Sequence, residues 1–160
     1  EDAFHTSDVL PQLLAGILAT AKAEAVAASN PDAIVIGSDQ LVDLDGEILG
    51  KPGTEDGAVK QLMNMSGRSH RLVTAVCVVS PDVQYDLVHI TTLTMRSLSE
   101  AEIRRYVKRD QPLDCAGSYK IESLGISLFE HIETTDFTSI MGLPLIPLSR
   151  HLRSLGVAVP

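Results

Sequence analysis

The chain has 160 residues, of which 44% are hydrophobic and 21% are charged, as is typical of a globular domain with its own core. Its 21 acids exceed its 13 bases, the net charge is −8, and only 4% of its residues are aromatic. These values argue against a nucleic-acid polymer as partner, because an acidic surface repels polyphosphates and single-strand readers need stacking aromatics. A nucleotide is not excluded, since a few local lysines or a metal ion can hold its phosphates.

Cysteine usage and hydropathy predict where the protein works. Cys77 and Cys115 are too few for a disulfide framework and lack C-x-x-C spacing, which favours a reducing compartment, by default the cytoplasm. No stretch approaches the ~18 consecutive apolar residues of a membrane span, and the N-terminus lacks the pattern of a signal peptide. We therefore expect no membrane partner.

The first predicted element is a helix that begins at a cap on Ser7 or Asp8 and ends near Ser29. An aliphatic stripe at helical spacing predicts its core face: Leu10, Leu13, Leu14, Ile17 and Leu18. The β-branched run that follows predicts a short strand, buried on both faces, which ends at Ser38-Asp39-Gln40. Asp45-Gly46, between two apolar runs, predicts a type I′ hairpin.

The second half of the chain interleaves strands with helices. We predict a helix from Thr54 to Met65, two long antiparallel strands around Ser80-Pro81-Asp82, a helix from Ser99 to about Lys108, a strand within residues 126–133 and a final helix within residues 143–156. No βαβ repeat and no interdomain linker are visible. The fold class is therefore α/β, or mixed α+β, with a single domain over residues 1–160.

Three charged residues stand out beside apolar segments. Asp39 follows the run at residues 33–37, and loops at strand ends are common ligand sites in α/β folds. Asp39 could instead cap a turn. Lys22 and Lys51 could be solvated surface lysines, and a functional role for them requires an anionic ligand that they share.

A polar, glycine-containing loop at residues 114–125 is a second candidate. Lys120 and Glu122 lie two residues apart, on one side of the segment if it is extended. An ordinary polar loop with a salt bridge explains the same pattern. No phosphate-binding loop, nucleophile elbow or dinucleotide fingerprint is present, and the five histidines lack zinc-ligand spacing.

Five ordered segments resemble the signature blocks of the Maf family of nucleoside triphosphate pyrophosphatases. They are AKAEAVAASNPDAIVIGSDQLVDLDGEILGKP, LMNMSGRSH, LSEAEIRRYV, PLDCAGSYKIESLGISLFEHIE and IMGLPL. The resemblance covers almost the whole chain. It implies a Maf/ITPase-like fold, with a long mixed and largely antiparallel sheet flanked by helices, and a tendency to form homodimers.

The resemblance also implies a reaction, the hydrolysis of the bond between the α and β phosphates of a nucleoside triphosphate with a divalent metal, Mg²⁺ or Mn²⁺. Asp39 matches the family's acidic residue that binds the metal or takes a proton from the attacking water. Lys51 and Lys22 match its phosphate-facing lysines, and Lys120 is expected to bind substrate with them. Glu1 matches a second metal-binding acid, although Asp2-Ala3 replaces the usual Thr-Pro after it.

Within the family, SDQ together with GSYKIES is similar to the branch that acts on 7-methyl-GTP. Glu122 is then the expected base reader and Gln40 the second specificity residue, in a house-cleaning enzyme that removes a modified nucleotide. The alternatives are the branch that acts on dTTP and UTP, and a non-catalytic nucleotide-binding regulator of septum formation. The family's first strand and its S-x-x-R-R-like phosphate loop have no counterpart before Glu1, so we expect a Maf-like domain without them.

Overall fold

The structure, a computed structural model, describes residues 10–160, and in this part of the chain four α-helices surround a five-stranded sheet. The helices are α1 (Pro11–Ala27), α2 (Glu55–Met65), α3 (Glu100–Asp110) and α4 (Leu145–Ser154). The strands are β1 (Val35–Leu44), β2 (Glu47–Leu49), β3 (Ser69–Val79), β4 (Gln84–Met95) and β5 (Phe129–Glu133). Short 3₁₀ helices occupy Ala116–Ser118, Leu124–Leu128 and Phe137–Met141.

The sheet has the order β2-β1-β3-β4-β5, and its neighbouring strands all run antiparallel in the described residues. The predicted α/β fold with a long, largely antiparallel sheet is confirmed. So is the predicted hairpin: Asp45 and Gly46 have φ angles of 52° and 93°, the positive values that a type I′ turn requires. The strand predicted within residues 126–133 begins only at Phe129, because the residues before it form a 3₁₀ helix.

Helix α1 packs on one face of the sheet, but not through the residues that its sequence predicts. Its buried positions are Pro11 and three alanines, Ala15, Ala19 and Ala23, whereas Leu10 and Leu13 are 72% and 58% exposed. The predicted leucine face is therefore wrong. The reason is close packing: a Cβ at Gly37 of β1 would lie 2.3 Å from the Ala19 carbonyl oxygen, so only small side chains fit between helix and strand. Ser7 and Asp8, the predicted caps, lie outside the described residues.

The opposite face of the sheet carries the larger core. Helices α2 and α3 and the 3₁₀ segments cover it, with Leu62, Met65, Leu93, Met95 and Ile103 fully buried. Helix α3 begins with the predicted cap, in which the Ser99 side chain and the Glu102 side chain each accept from the other's backbone N–H. Helix α4 packs through Leu148 farther along the same sheet. In residues 10–160 no helix is long and apolar enough to cross a membrane.

Candidate active site

Asp39 lies inside β1 rather than at its end. β1 continues to Leu44 because it pairs with β3 from Val35 to Asp43, with Asp39 opposite Ala75. The predicted strand end at Ser38-Asp39-Gln40 is therefore wrong. On its other side β1 pairs with β2 only at Val42–Leu44, so in the part of the chain described here the stretch before Val42 has no strand beside it. Within this stretch Ser38, Asp39 and Gln40 are partly exposed.

Asp39 forms an ion pair with Lys22 of α1. The Lys22 ammonium lies 2.6 Å from Asp39 Oδ1 and donates a second hydrogen bond of 3.0 Å to the Ser38 carbonyl oxygen. The side chains are 57% and 16% exposed, respectively, so the pair is open to solvent on the lysine side. The close approach of α1 at Gly37 brings Lys22 to the strand. The structure thus joins two of the three charges that the sequence singles out.

A cavity of about 270 Å³ lies on the other face of β1 and is lined by three more of the predicted residues. Successive strand residues point to opposite faces, so Asp39 faces α1 while Gln40 faces the 3₁₀ helix Phe137–Met141. Gln40, Lys51 and Glu122 all line this cavity. Asp39 and Lys22 thus form one group on the α1 face of β1, and Gln40, Lys51 and Glu122 form a second group on the other face. The two groups are next to each other because Asp39 and Gln40 are consecutive residues.

The Gln40 amide has a fixed orientation. Its Nε2 donates to Thr74 Oγ1 and to the Ser139 carbonyl oxygen, each at 2.8 Å. The Thr74 hydroxyl donates to the same carbonyl at 3.0 Å, so Thr74 must accept from Gln40. Both amide hydrogens are thereby used in bonds to protein. Gln40 consequently offers the cavity an acceptor, its Oε1.

Further hydrogen bonds hold the Ser139 carbonyl in place. The Ser139 hydroxyl donates to the Asp136 carbonyl oxygen at 2.7 Å, and the Asp136 carboxylate accepts from the backbone N–H groups of Thr138 and Ile146. Burial raises the pKa of Asp136, but a hydrogen bond from the Thr138 hydroxyl and the two backbone bonds outweigh it and lower the pKa below its usual range. Sequence reasoning did not find Thr74, Ser139 or Asp136. The IMGLPL block marks their neighbourhood only.

The remaining wall of the cavity comes from the loop before β5. Glu122 is exposed at the rim, and Asp114, Cys115 and Tyr119 lie beside it. Burial raises the pKa of the Cys115 thiol and the neighbouring Asp114 carboxylate raises it further, so the thiol stays protonated at neutral pH.

Lys120 does not line the cavity. Its ammonium donates to the carbonyl oxygens of Asp110 and Gln111, each at 3.2 Å, at the C-terminal end of α3. The segment around it forms turns rather than the extended strand that would place Lys120 beside Glu122. Glu1, the second predicted metal ligand, lies outside the described residues, and residues 10–160 contain no cluster of three or more His, Cys, Asp or Glu side chains suited to a metal.

A family model described as "Maf-like protein" matches residues 2–155, almost the whole chain. The chain belongs to the Maf family. Asp39, Gln40 and Glu122 all fall inside the matched region, so the two groups of polar residues lie within the Maf domain itself. The family resemblance drawn from the five sequence blocks is confirmed.

Three relatives in the Maf family carry the same printed name, "7-methyl-GTP pyrophosphatase". The protein from Xanthomonas axonopodis pv. citri is 51% identical over 150 residues, which cover 94% of this chain and 79% of that protein. The protein from Bdellovibrio bacteriovorus is 49% identical over 92% of this chain and 77% of its own length. The protein from Syntrophotalea carbinolica is 45% identical over 95% of this chain and 79% of its own length.

Proposed function

We propose that this protein hydrolyses 7-methyl-GTP to its monophosphate and pyrophosphate, and so removes a modified nucleotide as a house-cleaning enzyme. The observation that carries the proposal is the pairing of two acceptors, Gln40 Oε1 and the Glu122 carboxylate, in one cavity with Lys51. The similarity to relatives named for this activity supports it.

The acceptors suit a guanine base. The Watson–Crick edge of guanine presents a ring N–H beside an amino group, and two acceptors can take one donor each. Methylation at N7 adds positive charge to the base, which the Glu122 carboxylate favours. Thymine and uracil place carbonyl oxygens on both sides of their ring N–H, and these oxygens would face the two acceptors without a hydrogen bond. The geometry therefore favours 7-methyl-GTP over dTTP and UTP.

The phosphates are proposed to lie at the open edge of β1, between the two faces. Lys51 on the cavity side and Lys22 on the α1 side would neutralise their charge. Phosphate oxygens would compete with Asp39 for the Lys22 ammonium, because that ammonium now binds Asp39 at 2.6 Å. A freed Asp39 carboxylate can accept the proton of a water molecule whose oxygen bonds to phosphorus as the α–β bridging P–O bond breaks. Pyrophosphate leaves with the bonding electron pair.

Among the described residues, Asp39 can supply one ligand to a divalent metal. Mg²⁺ is commonly held by one or two carboxylates together with substrate phosphates and water, and Asp39 supplies one carboxylate. Bound there, the metal would supply charge neutralisation at the phosphates. A cytoplasmic location and a homodimeric assembly stay predictions of the family resemblance.

The test is a comparison of kcat/KM for 7-methyl-GTP, GTP, dTTP and UTP with the purified full-length protein and Mg²⁺ or Mn²⁺. Phosphorus NMR of the products identifies the bond that is cut, because α–β cleavage gives pyrophosphate and not inorganic phosphate. We expect 7-methyl-GTP to have the highest kcat/KM. A preference for dTTP and UTP would assign the protein to the other branch and contradict the role of the acceptor pair.

A further inference from the structure

A second cleft, of about 180 Å³, lies between α3 and the segment before β5, separate from the cavity that holds Gln40 and Glu122. Three arginines line it: Arg96 at the end of β4, and Arg105 and Arg109 one turn apart on α3. Its floor is apolar, with Tyr106 and Leu128 buried. We name this site the arginine cleft.

In the arginine cleft Arg96 is fixed and lies 3.7 Å from the Glu102 carboxylate, whereas the side chains of Arg105 and Arg109 are exposed. Arg96 Nε donates to the Ser127 carbonyl oxygen at 2.9 Å, which fixes the guanidinium at the cleft wall. The one carboxylate in the cleft, Glu102, accepts two hydrogen bonds of 2.8 Å from Ser99, and these bonds lower its pKa, so it stays ionised. Arg105 and Arg109 form no ion pair within residues 10–160. The cleft therefore carries an excess of two positive charges in a chain whose net charge is −8.

The other side of α3 shows that this excess is a local feature. Arg104 donates to Glu100 at 2.7 Å and lies 3.7 Å from Asp56, so its charge is balanced by neighbours. Arg105, the next residue, points into the cleft and has no such partner in the described chain. One helix thus has a paired cationic side and an unpaired one, and the unpaired side borders a cavity.

We propose that the arginine cleft binds a compact phosphate anion, inorganic phosphate or pyrophosphate. Arginine guanidinium groups bind phosphate oxygens in pairs of parallel hydrogen bonds, and several arginines around one cavity are suited to an oxyanion. The volume suits this class, because sites for drug-sized ligands are typically ~300 Å³ or larger and the cleft is smaller. Binding here requires neither Asp39 nor Lys51, so the inference stands apart from the proposed reaction.

The site is connected to the Glu122 wall through α3. Tyr106, in the floor of the cleft, accepts a hydrogen bond of 2.9 Å from the Lys120 backbone N–H. Asp110 of the same helix accepts from the Ser123 hydroxyl at 2.7 Å and from the Leu124 N–H at 3.1 Å. An anion held between α3 and the residues before β5 would hold this loop more firmly to the helix. Glu122 lies between these anchor points, so the proposal also predicts that Glu122 is less mobile when the cleft is occupied.

The experiment is a titration of the full-length protein with pyrophosphate and, separately, with phosphate, followed by backbone amide NMR. All proteins carry Lys51→Gln, which weakens binding in the other cavity. We compare that parent with Arg105→Gln/Arg109→Gln and with the matched control Arg104→Gln/Lys108→Gln. The two pairs lie on the same helix, remove the same charge and introduce the same helix-compatible residue.

We expect shift changes at Arg105 and Arg109 in the parent and the control, and a dissociation constant at least about tenfold higher in Arg105→Gln/Arg109→Gln. Hydrogen exchange of the Lys120 amide should slow with the anion in the parent and in the control, but not in Arg105→Gln/Arg109→Gln. Tighter binding of pyrophosphate than of phosphate, or the reverse, identifies which anion the cleft takes. Equal weakening by both double variants would reduce the effect to general electrostatics and overturn the proposal, as would shift changes confined to the Lys22 and Gln40 region.

Discussion

Replacing Thr74 by valine tests whether a fixed amide orientation determines base preference. Thr74 is 1% exposed, and its hydroxyl accepts from Gln40 at 2.8 Å and donates to the Ser139 carbonyl oxygen at 3.0 Å. Valine has nearly the same shape but can do neither. The Gln40 amide then loses one of its two fixed partners, while the Ser139 carbonyl keeps its bond from Gln40.

The size of the effect follows from those two bonds. Without Thr74 the amide hydrogen can still reach the Ile140 carbonyl oxygen at 3.3 Å, and exchanging the shorter bond for this longer one costs about 1 kcal/mol, which lowers the free energy of unfolding by a similar amount. The same loss reduces the preference for the orientation that presents Oε1 to the cavity. We expect the ratio of kcat/KM for 7-methyl-GTP to that for dTTP to fall by about tenfold, with most of the change on the guanine substrate.

Thr91→Val is the matched control. Thr91 is also 1% exposed and lies in the same polar cluster, where its hydroxyl donates to Thr134 Oγ1 at 3.1 Å, but it does not bond to Gln40. Thermal unfolding should show a comparable destabilisation of both variants, whereas the kcat/KM ratio should change only in Thr74→Val. An unchanged ratio in Thr74→Val, or an equal change in both, would refute the argument that the Thr74 bond orients the specificity residue.

Three further predictions concern catalysis, recognition and acid stability. Asp39→Asn should lower the rate of pyrophosphate release at least ~100-fold, the scale of losing a general base. The unfolding temperature should change little, because the Lys22 partner is largely exposed. Near-normal turnover would contradict the role of Asp39 as the base. Glu122→Gln should lower kcat/KM for 7-methyl-GTP by about tenfold to a hundredfold more than for UTP, and a uniform loss on all substrates would remove Glu122 from the base site. Burial lowers the pKa of His70 from 6.5 to about 4. Between pH 6.5 and about pH 4, His70 is therefore protonated in the unfolded chain but not in the folded chain. Stability should therefore fall as pH drops from about 6.5 to about 4, by up to about 3 kcal/mol, and urea unfolding of His70→Gln across this range should show a shallower pH dependence.

Local patterns in the sequence predicted the local structure well. The Asp45-Gly46 turn and the Ser99–Glu102 capping box depend on residues within one turn of each other, and both form as expected. The core face of α1 could not be predicted in this way. Its alanines are buried because Gly37, on a strand that the helix later meets, admits only small side chains.

The same limit applies to the site. Asp39, Gln40, Lys51 and Glu122 were named from the resemblance, but sequence alone placed Asp39 at a strand end, and its pairing with Ala75 depends on a strand more than thirty residues later. The bond from Thr74 to Ser139 joins residues 65 positions apart. No periodicity or local spacing encodes such a contact.

The alternation of side chains along β1 has a consequence for how this protein can change over evolutionary time. Asp39 and Gln40 are neighbours in sequence, yet one faces Lys22 on α1 and the other faces the Ser139 carbonyl across the sheet. Substitutions behind Gln40 therefore fall on the face of the sheet opposite the Asp39–Lys22 ion pair. If the proposed roles hold, a lineage can change its preferred nucleobase by substitutions on one face of β1 while Asp39 and Lys22 on the other face are retained.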